Sequence, residues 1–377
     1  MSVFLHAVAP VVPEQVYPQT VIRDLIRVQP ELDRLGQRLT SAVFNGSGIE
    51  QRYSVIDDFT RPAGEPQGLF YDTSAQRMLT PSTGARNAVY AAEATRLFVR
   101  AGQEVLDSSG VAAADVTHVV TVSCTGFFAP GPDYAVVRAL GLSPETHRFH
   151  LGFMGCYAAF PALKMARAFC DADPGATVLV ICAELCTLHM HSSKDPDTII
   201  ANSVFADGAA AALVSSRPPA PGRPALRLDH FETTLTPVGV GEAEMAWTVG
   251  DQGFDMVLST YVPSIIESHI GPALVPLLAR EEALQGAAHS AVEHWAIHPG
   301  GRSILDKVQS SLDLSDAQLR PSREVLRQYG NMSSATVMFI LADLLKGAKK
   351  NERVCAMAFG PGLTVESGLM TKVCGES

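Results

Sequence analysis

Short, almost uninterrupted runs of aliphatic and β-branched residues are the feature that most limits how this chain can fold. They occur at 117–123, 176–181, 209–214, 294–297 and 353–359. Runs without polar alternation are typical of strands buried on both faces of a sheet. Patterns with helical periodicity lie between them, at 87–101, 157–172, 303–312 and 334–346. This alternation of strands and helices predicts an α/β protein with layered sheets.

A proline-rich segment at 215–224 divides the chain into a longer and a shorter part. Proline cannot donate a hydrogen bond to a sheet ladder, so such a cluster is typical of a linker. Glycine-containing turns at 206–209 and 359–362 occupy comparable places near the end of each part. We therefore predict two similar halves, residues 1–225 and 226–377, related by an internal duplication.

Composition and charge exclude several classes of protein. The chain has 377 residues, enough for a large core, and its 47% apolar and 18% charged residues are ordinary for a globular protein. The net charge is −10 and no long basic run occurs, so we do not expect a nucleic-acid partner. An anionic substrate would have to meet a local basic patch.

The cysteines and the apolar runs bear on cellular location. The seven cysteines are an odd number and lie within apolar segments, which favours free thiols in a reducing cytoplasm over a disulfide framework. The first residues lack a charged region and a cleavage signature, so we expect no signal peptide. No apolar run approaches the ~18 residues of a transmembrane helix, so we expect no integral membrane segment.

Three residues at the ends of predicted elements could form a catalytic set. Cys156 precedes an apolar helical stretch, whose positive dipole end would lower the pKa of the thiol. His298 ends a strand-like run, where α/β proteins place chemistry, and Asn331 precedes the last predicted helix. A thiol, an imidazole and a carboxamide can act as nucleophile, base and oxyanion donor, which predicts acyl transfer through a thioester.

Each of the three residues also has an ordinary interpretation. A cysteine among apolar residues is usually an inert core residue, and a lone histidine more often caps a turn. An asparagine before a helix is most often an N-cap, although Ser333 or Ser334 could serve instead of Asn331. The occurrence of all three at loop-to-helix junctions favours the catalytic interpretation.

Five short strings carry a resemblance to a known family. They lie at 155–159 (Gly-Cys-Tyr-Ala-Ala), 205–211, 298–301 (His-Pro-Gly-Gly), 330–335 (Gly-Asn-Met-Ser-Ser-Ala) and 359–362 (Phe-Gly-Pro-Gly). The chain resembles the type III polyketide synthases, the chalcone synthase-like branch of the thiolase superfamily, over nearly its whole length. The resemblance implies an α/β, five-layered αβαβα thiolase-like fold of two similar halves, and a homodimer. The first half would carry the nucleophilic cysteine and the second the catalytic histidine and asparagine.

The resemblance also implies a role for each member of the set. Cys156 would take the starter acyl group from CoA and hold the growing chain. His298 would keep the thiolate charged and bind the thioester carbonyl. His298 and Asn331 together would form the oxyanion hole for decarboxylation of malonyl-CoA. The acyl-CoA starter and malonyl-CoA are then substrates, and neither a metal nor an organic cofactor is implied.

The substrate cavity is expected to differ from that of the plant enzymes. Phe205 matches the first of two phenylalanines that gate the family's cavity, but the second falls on Met256. Methionine is thinner and more flexible than phenylalanine, which favours a longer acyl chain. Ala129 stands where plant members usually have a methionine that reaches into the partner subunit's cavity, and alanine leaves space there. Cys124 and Thr125 should line the cavity nearby.

Three further residues are predicted to shape the cavity. His189 and Trp247 fall near positions that line it, and the bulky indole of Trp247 would close one direction while Ala129 opens another. Ser333 lies in the region that decides between aldol and lactone ring closure.

Basic residues at the tunnel entrance should bind CoA. The stretch 44–52, where family members usually carry positive charge, contains little of it here. Arg52, Arg302 and Lys307 are the candidates, and a solvated surface charge is the ordinary interpretation of each.

The narrower subtype rests on two strings, 123–127 and 185–189. They are similar to bacterial members that make alkylresorcinols or alkylpyrones from fatty acyl starters, which is the product class we predict. The first alternative is an aromatic product made from malonyl-CoA alone or from an arylacetyl starter, of the tetrahydroxynaphthalene, phloroglucinol or dihydroxyphenylacetate type. A cysteine acyl-thioester hydrolase and a non-catalytic binding module are the alternatives from other classes.

Overall fold

The computed structural model describes residues 2–62 and 68–375, and this part of the chain contains fifteen β-strands and ten α-helices. The strands are β1 (Phe4–Val11), β2 (Gln15–Pro18), β3 (Gln51–Ser54), β4 (Tyr71–Asp72), β5 (Arg77–Met78), β6 (His118–Ser123), β7 (His147–Gly152), β8 (Thr177–Leu185), β9 (Asp207–Ser215), β10 (Pro224–Thr234), β11 (Met245–Gly250), β12 (Gly253–Leu258), β13 (His294–Ile297), β14 (Arg353–Gly360) and β15 (Thr364–Cys374). The helices are α1 (Gln19–Arg27), α2 (Arg34–Gly46), α3 (Thr83–Ser109), α4 (Pro132–Ala139), α5 (Ala159–Ala172), α6 (Pro196–Val204), α7 (Val262–Leu278), α8 (Arg302–Leu312), α9 (Asp316–Tyr329) and α10 (Thr336–Gly347).

Nine strands form one mixed sheet in the order β13-β14-β15-β10-β1-β9-β8-β6-β7. In the first half of the chain β6 and β8 are parallel, whereas β8–β9 and β9–β1 are antiparallel. In the second half β13 and β14 are parallel, whereas β14–β15 and β15–β10 are antiparallel. The same pairing pattern thus occurs twice, and β1 joins the two copies through β10. This repetition confirms two similar halves.

Three apolar clusters give the order of the layers. The middle cluster packs α5 and α10 between the two parts of the sheet, with Phe160 and Phe339 among its members. A second cluster holds α3 against the other face of the first half through Phe98, and a third holds α7 and α8 against the second half through Leu274 and Leu305. The order is therefore helix, sheet, helix, sheet, helix, which confirms the predicted five-layered α/β fold. Helices on both faces explain why β8 and β9 are buried at every position.

Several boundaries differ from the sequence predictions for physical reasons. The helix predicted at 87–101 runs from Thr83 to Ser109, because Ser82 caps its first turn by accepting from the amide of Ala85, and Gly110 ends it with a left-handed conformation. The last predicted helix begins only at Thr336, after a 3-10 turn over Ser333–Ala335.

Two further features concern the segment after the linker. The predicted division between residues 225 and 226 falls inside β10, whose first residue is Pro224, a position where a strand tolerates proline. Strands β11 and β12 form a hairpin outside the nine-stranded sheet, which no apolar run in the sequence predicts. Among residues 2–62 and 68–375, no helix is both long and apolar enough to cross a membrane.

Candidate active site

Cys156 lies on a tight turn between β7 and α5. Phe153 and Gly155 have positive φ angles of 56° and 86°, so the chain reverses sharply just before the cysteine. A Cβ atom at Gly155 would lie 2.5 Å from Pro361 Cδ and 2.8 Å from Trp247 Cη2, so only glycine fits this close approach. The turn brings the thiol against the second half of the chain.

His298 follows β13 directly and continues its pairing with β14. Its backbone amide donates to the carbonyl of Met357 at 2.8 Å, which fixes the start of the loop. The side chain is buried, and neither ring nitrogen has a hydrogen-bond partner within the described residues. The ring lines a cavity that Cys156 also lines, so its nitrogens can bind a group held there.

Asn331 is held by backbone bonds to the first half of the chain. Its amide donates to the carbonyl of Val204 at 2.8 Å, and its carbonyl accepts from the amide of Ala206 at 2.9 Å. Its side-chain Oδ1 accepts from the amide of Ser333 at 2.9 Å, while Nδ2 donates to the carbonyl of Gly300 at 3.3 Å. An amide nitrogen carries two hydrogens, so Nδ2 keeps one for a further acceptor.

Two cavities meet at Cys156. With the space open to solvent included, the larger spans about 710 Å³ and the smaller about 450 Å³. The larger cavity is lined by Cys124, Thr125, Cys156, Cys186, Thr187, His189, Met190, His191, Thr198, Ala201, Asn202, Phe205, Trp247, Phe254, Met256 and Ser333. The smaller cavity is lined by Cys156, Phe205, Met245, Ala246, Trp247, Met256, Leu258, Ile266, His298, Gly300, Ile304, Asn331, Phe359 and Pro361.

Some side chains line both cavities, and others line only one of them. Cys156, Phe205, Trp247 and Met256 line both cavities, so they surround the passage between them. His298 and Asn331 line only the smaller cavity. The structure therefore brings the predicted thiol, imidazole and carboxamide to the wall of one cavity, with the thiol at its junction with the other.

Burial decides the resting charges of the thiol and the imidazole. Burial raises the pKa of the Cys156 thiol to about 11, whereas hydrogen bonds from Ser333 and Asn331 lower it. It lowers the pKa of His298 to about 3. The expected lowering of the Cys156 pKa by the helix dipole is therefore wrong, because α5 begins only at Ala159 and desolvation outweighs the dipole.

Glu184 lies buried beside Cys124 and was not recognised from the sequence. Its carboxyl accepts from the amide of Cys124 at 3.0 Å, from the Cys124 thiol at 3.2 Å and from the Thr125 hydroxyl at 2.9 Å. The hydroxyl of Ser334 is a further donor. Burial raises the pKas of Glu184 and Cys124. The carboxyl thus ties the loop after β6 to the 3-10 turn after Asn331.

His189 joins two walls of the larger cavity. Its Nε2 donates to the carbonyl of Thr125 at 2.8 Å, and its Nδ1 accepts from the amide of Phe254 at 3.2 Å. The ring stacks on that of Phe254 with centroids 4.0 Å apart. Burial lowers the pKa of His189 to about 4, so the ring is neutral.

The remaining residues predicted to line the cavity are placed in different ways. Cys124, Thr125, His189 and Ser333 line the larger cavity only. Ala129 is exposed on a loop and lines neither cavity of its own chain.

The three candidates for CoA binding differ in accessibility. Arg52 is 2% exposed, and its guanidinium donates to the carbonyls of Asn202 and Phe205, so it is not available to CoA. Arg302 begins α8 with its side chain 57% exposed, next to cavity residue Gly300. Lys307 forms an ion pair with Glu267 at 2.8 Å.

Several further cavity residues have a signal in the sequence. Thr198, Ala201, Asn202 and Phe205 are spaced i, i+3, i+4 and i+7, which is one face of a helix. Phe254 is two residues before Met256, on the same strand. Once Phe205 and Met256 were recognised, these two periodicities could have extended the predicted lining.

Comparison with known proteins identifies the family. Residues 4–218 match the family model of the N-terminal domain of chalcone and stilbene synthases, and residues 231–374 match that of the C-terminal domain. The C-terminal type III polyketide synthase domain of Steely1, a type I/III hybrid from Dictyostelium, is 26% identical with a TM-score of 0.88, over 99% of this chain and 100% of that one. PKS-I from the brown alga Ectocarpus siliculosus is 27% identical with a TM-score of 0.88, over 99% of this chain and 98% of that one. The chain belongs to the chalcone and stilbene synthase family and is a type III polyketide synthase, an enzyme of the acyltransferase class that uses CoA thioesters.

Proposed function

We propose that this enzyme condenses malonyl-CoA repeatedly, with loss of CO₂, onto an acyl-CoA starter held on Cys156. The observation that carries the proposal is the position of Cys156 at the junction of two cavities, with His298 and Asn331 on one side only. A thioester bound to that sulfur can extend into the larger cavity. Its carbonyl then remains beside the donors of the smaller cavity.

Loading begins with a neutral thiol and a neutral imidazole, not with the charged thiolate that the resemblance implies, because burial raises the pKa of Cys156 and lowers that of His298. His298 accepts the proton of Cys156 as the sulfur attacks the carbonyl of the acyl-CoA. The carbon–sulfur bond to CoA breaks, the proton passes to the departing CoA thiolate, and CoA leaves as a thiol. The unpaired ring nitrogens of His298 support this proton transfer.

Extension uses His298 and Asn331 as hydrogen-bond donors. Loss of CO₂ from malonyl-CoA leaves an enolate whose charge is on the thioester oxygen. The N–H of the neutral imidazole and the remaining Nδ2 hydrogen of Asn331 can both bind that oxygen. The carbanion attacks the thioester on Cys156 and transfers the acyl chain to the incoming CoA ester. The released Cys156 thiolate then attacks the thioester of the lengthened chain, the carbon–sulfur bond to CoA breaks, and CoA leaves as a thiolate that takes up a proton from solvent. The chain is then held on Cys156 for the next cycle.

We propose a medium- or long-chain fatty acyl starter and an alkylresorcinol or alkylpyrone product. Met256 in place of the second gating phenylalanine supports this choice, as do the apolar side chains of Met190, Ala201 and Phe254 in the larger cavity. The alternative is an aromatic polyketide made from malonyl-CoA alone or from an arylacetyl starter.

A homodimer belongs to the proposal. Strand β7 is an edge of the nine-stranded sheet, and the apolar side chains of Phe127 and Phe153 are 48% and 43% exposed beside it, with ring centroids 6.1 Å apart. Exposed sheet edges and apolar patches are usually covered in the native assembly. Light scattering coupled to size-exclusion chromatography should give twice the mass of one chain.

A panel of acyl-CoA starters from two to sixteen carbons, incubated with malonyl-CoA, tests the function. We expect extended products by mass spectrometry, with a preference for starters of about eight carbons or more, as the gate at Met256 favours. A preference for acetyl or malonyl starters would support the alternative product class. Release of free acid without extension would support a thioester hydrolase. Cys156→Ala should abolish covalent loading in every case.

A further inference from the structure

Arg52 is a buried cation that the proposed reaction does not use. It lies on β3, and its Nη1 donates to the carbonyl of Asn202 at 2.7 Å and to that of Phe205 at 2.6 Å. Both carbonyls are at the C-terminal end of α6, where helix carbonyls lack partners within the helix and the dipole favours a positive charge. The guanidinium thus satisfies the end of the helix that carries Phe205.

The same loop holds Asn331. The carbonyl of Val204 and the amide of Ala206, on either side of Phe205, form the two backbone bonds to Asn331 at 2.8 and 2.9 Å. These bonds make Phe205 and Asn331 an isolated parallel bridge between the two halves of the chain. A shift of the Phe205 carbonyl would therefore move the backbone of Asn331.

The stem of Arg52 also packs against the residue before Asn331. Gly330 has a φ of +71°, and a Cβ there would lie 3.1 Å from Arg52 Cγ. Arg52 consequently touches both sides of the bridge, through hydrogen bonds on one and van der Waals contact on the other.

Arg52 remains positively charged although it is buried. Burial lowers its pKa to about 9, which still leaves the guanidinium protonated at neutral pH, and Asp207 acts in the opposite direction. Its ring contact is with Phe44, 5.6 Å from the guanidinium carbon. No described residue accepts a hydrogen bond from Nε or Nη2, so the two backbone carbonyls are its polar anchors.

We propose that Arg52 is a positioning residue that holds the Phe205–Asn331 bridge, and through it the carboxamide of Asn331, in register with Cys156. The proposal rests on the proposed function, because it assigns Asn331 to decarboxylation. It differs from a general role in stability, since it predicts that one half-reaction depends on Arg52 far more than the other.

Arg52→Met keeps the stem and removes the hydrogen bonds, and Arg52→Lys keeps the charge but not the planar fork. We measure acylation of Cys156 by intact-protein mass spectrometry and decarboxylation of malonyl-CoA by CO₂ release. For Arg52→Met we expect acylation within about 3-fold of the wild type and decarboxylation reduced about 100-fold, as for a misplaced catalytic group. The decarboxylation rate of Arg52→Lys should lie between those of the wild type and Arg52→Met. If Arg52→Met does not fold, the same comparison of acylation with decarboxylation in Arg52→Lys tests the proposal.

Lys372→Met is the matched control. Lys372 is 4% exposed and donates to the carbonyl of Leu345, away from both cavities. It should lose stability and leave the ratio of the two half-reactions unchanged. Equal losses of both half-reactions in the Arg52 variants, or no loss in a folded variant, would overturn the proposal.

Hydrogen exchange provides a measurement that does not depend on the reaction. The amide of Asn331 is bound to Val204, so peptides covering 200–208 and 329–334 should exchange faster in Arg52→Met than in the wild type. They should not do so in Lys372→Met. If the wild type fails to decarboxylate malonyl-CoA, the proposed function is wrong, and the exchange comparison still tests the hold of Arg52 on the bridge. Unchanged exchange in both Arg52 variants would contradict the proposal that Arg52 holds the bridge.

Discussion

Trp247 and Met256 are opposite one another in the β11–β12 hairpin, and both line the two cavities that meet at Cys156. Residues directly opposite in an antiparallel pair have neighbouring side chains on one face. The bulky indole and the flexible thioether therefore limit the same passage together. The width of the gate at Met256 therefore also depends on Trp247.

Met256→Phe should shift the enzyme toward short starters. A rigid ring beside Trp247 narrows the passage, and overpacking of this kind costs about 1–3 kcal/mol. We expect kcat/KM for a twelve-carbon starter to fall about 10-fold or more, with little change for an acetyl or butyryl starter. Val249→Phe is the matched control, because Val249 is on the same hairpin but 52% exposed and lines neither cavity. Equal loss for all starters would contradict a role in chain length.

Asn331→Ala should affect decarboxylation much more than loading. Removal of one oxyanion donor typically costs about 10²–10³ in rate. We expect decarboxylation of malonyl-CoA to fall at least 100-fold and acylation of Cys156 to fall less than about 10-fold. Asn331→Asp tests hydrogen-bond donation separately from the structure of the turn. Its carboxylate keeps the oxygen that accepts from Ser333 but has no hydrogen to donate. Normal decarboxylation in either variant would refute the role of the carboxamide.

The sheet was predictable because burial on both faces leaves a local signal. The run predicted at 294–297 coincides with β13, and those at 117–123 and 353–359 differ from β6 and β14 by one residue at an end. The β11–β12 hairpin gave no such signal, since its strands are mostly half-buried or exposed. Its place is set by contacts with distant residues, such as the bond from Phe254 to His189.

The triad was predictable as a set of residue types at element ends, but its charge state was not. The pKa of Cys156 depends on how completely three distant segments exclude water, and no local pattern reports that. The burial of Arg52 was not predictable from the local sequence either. A positive charge in a short strand suggests the surface, whereas its partners Asn202 and Phe205 are about 150 residues away in the chain.

Glu184→Leu should destabilise the protein more than Glu184→Gln. Leucine leaves the amide of Cys124 and the hydroxyls of Thr125 and Ser334 without an acceptor, and each buried unpaired group costs about 1–3 kcal/mol. Glutamine keeps one oxygen for these donors. We expect the free energy of unfolding in urea to fall by about 3 kcal/mol or more for leucine, and by less than about half of that for glutamine. Equal losses would mean that the volume of the side chain matters and its oxygens do not.

Arg302→Gln should weaken binding of CoA esters without slowing the chemistry. Arg302 is exposed at the first residue of α8, near the smaller cavity, and its own partner Asp306 is 3.6 Å away. We expect KM for malonyl-CoA to rise about 5- to 10-fold at low salt, with kcat little changed, and the difference to shrink as salt screens the charge. Lys307→Gln should change KM less than about 2-fold, since Glu267 already neutralises that lysine. A larger effect at Lys307 than at Arg302 would reverse the assignment.

His189 should make the fold sensitive to mild acid. Its Nδ1 accepts from the amide of Phe254, so a proton there would face an N–H donor, and burial lowers the pKa of His189 to about 4. Between pH 6.5 and 4 the unfolded chain binds a proton at this residue that the folded chain does not. The stability contributed by neutral His189 is therefore present above pH 6.5 and is lost as pH falls, by about 2 kcal/mol between pH 7.5 and pH 5.

Glutamine at position 189 cannot titrate in this range, so His189→Gln should lose about 2 kcal/mol less than the wild type between pH 7.5 and pH 5. Other buried histidines, His298 among them, keep their own share of the acid sensitivity in both proteins. The measurement is the free energy of unfolding in urea at the two pH values, taken as a difference for each protein. If His189→Gln loses as much stability as the wild type, the histidine is not held neutral by the contacts around it.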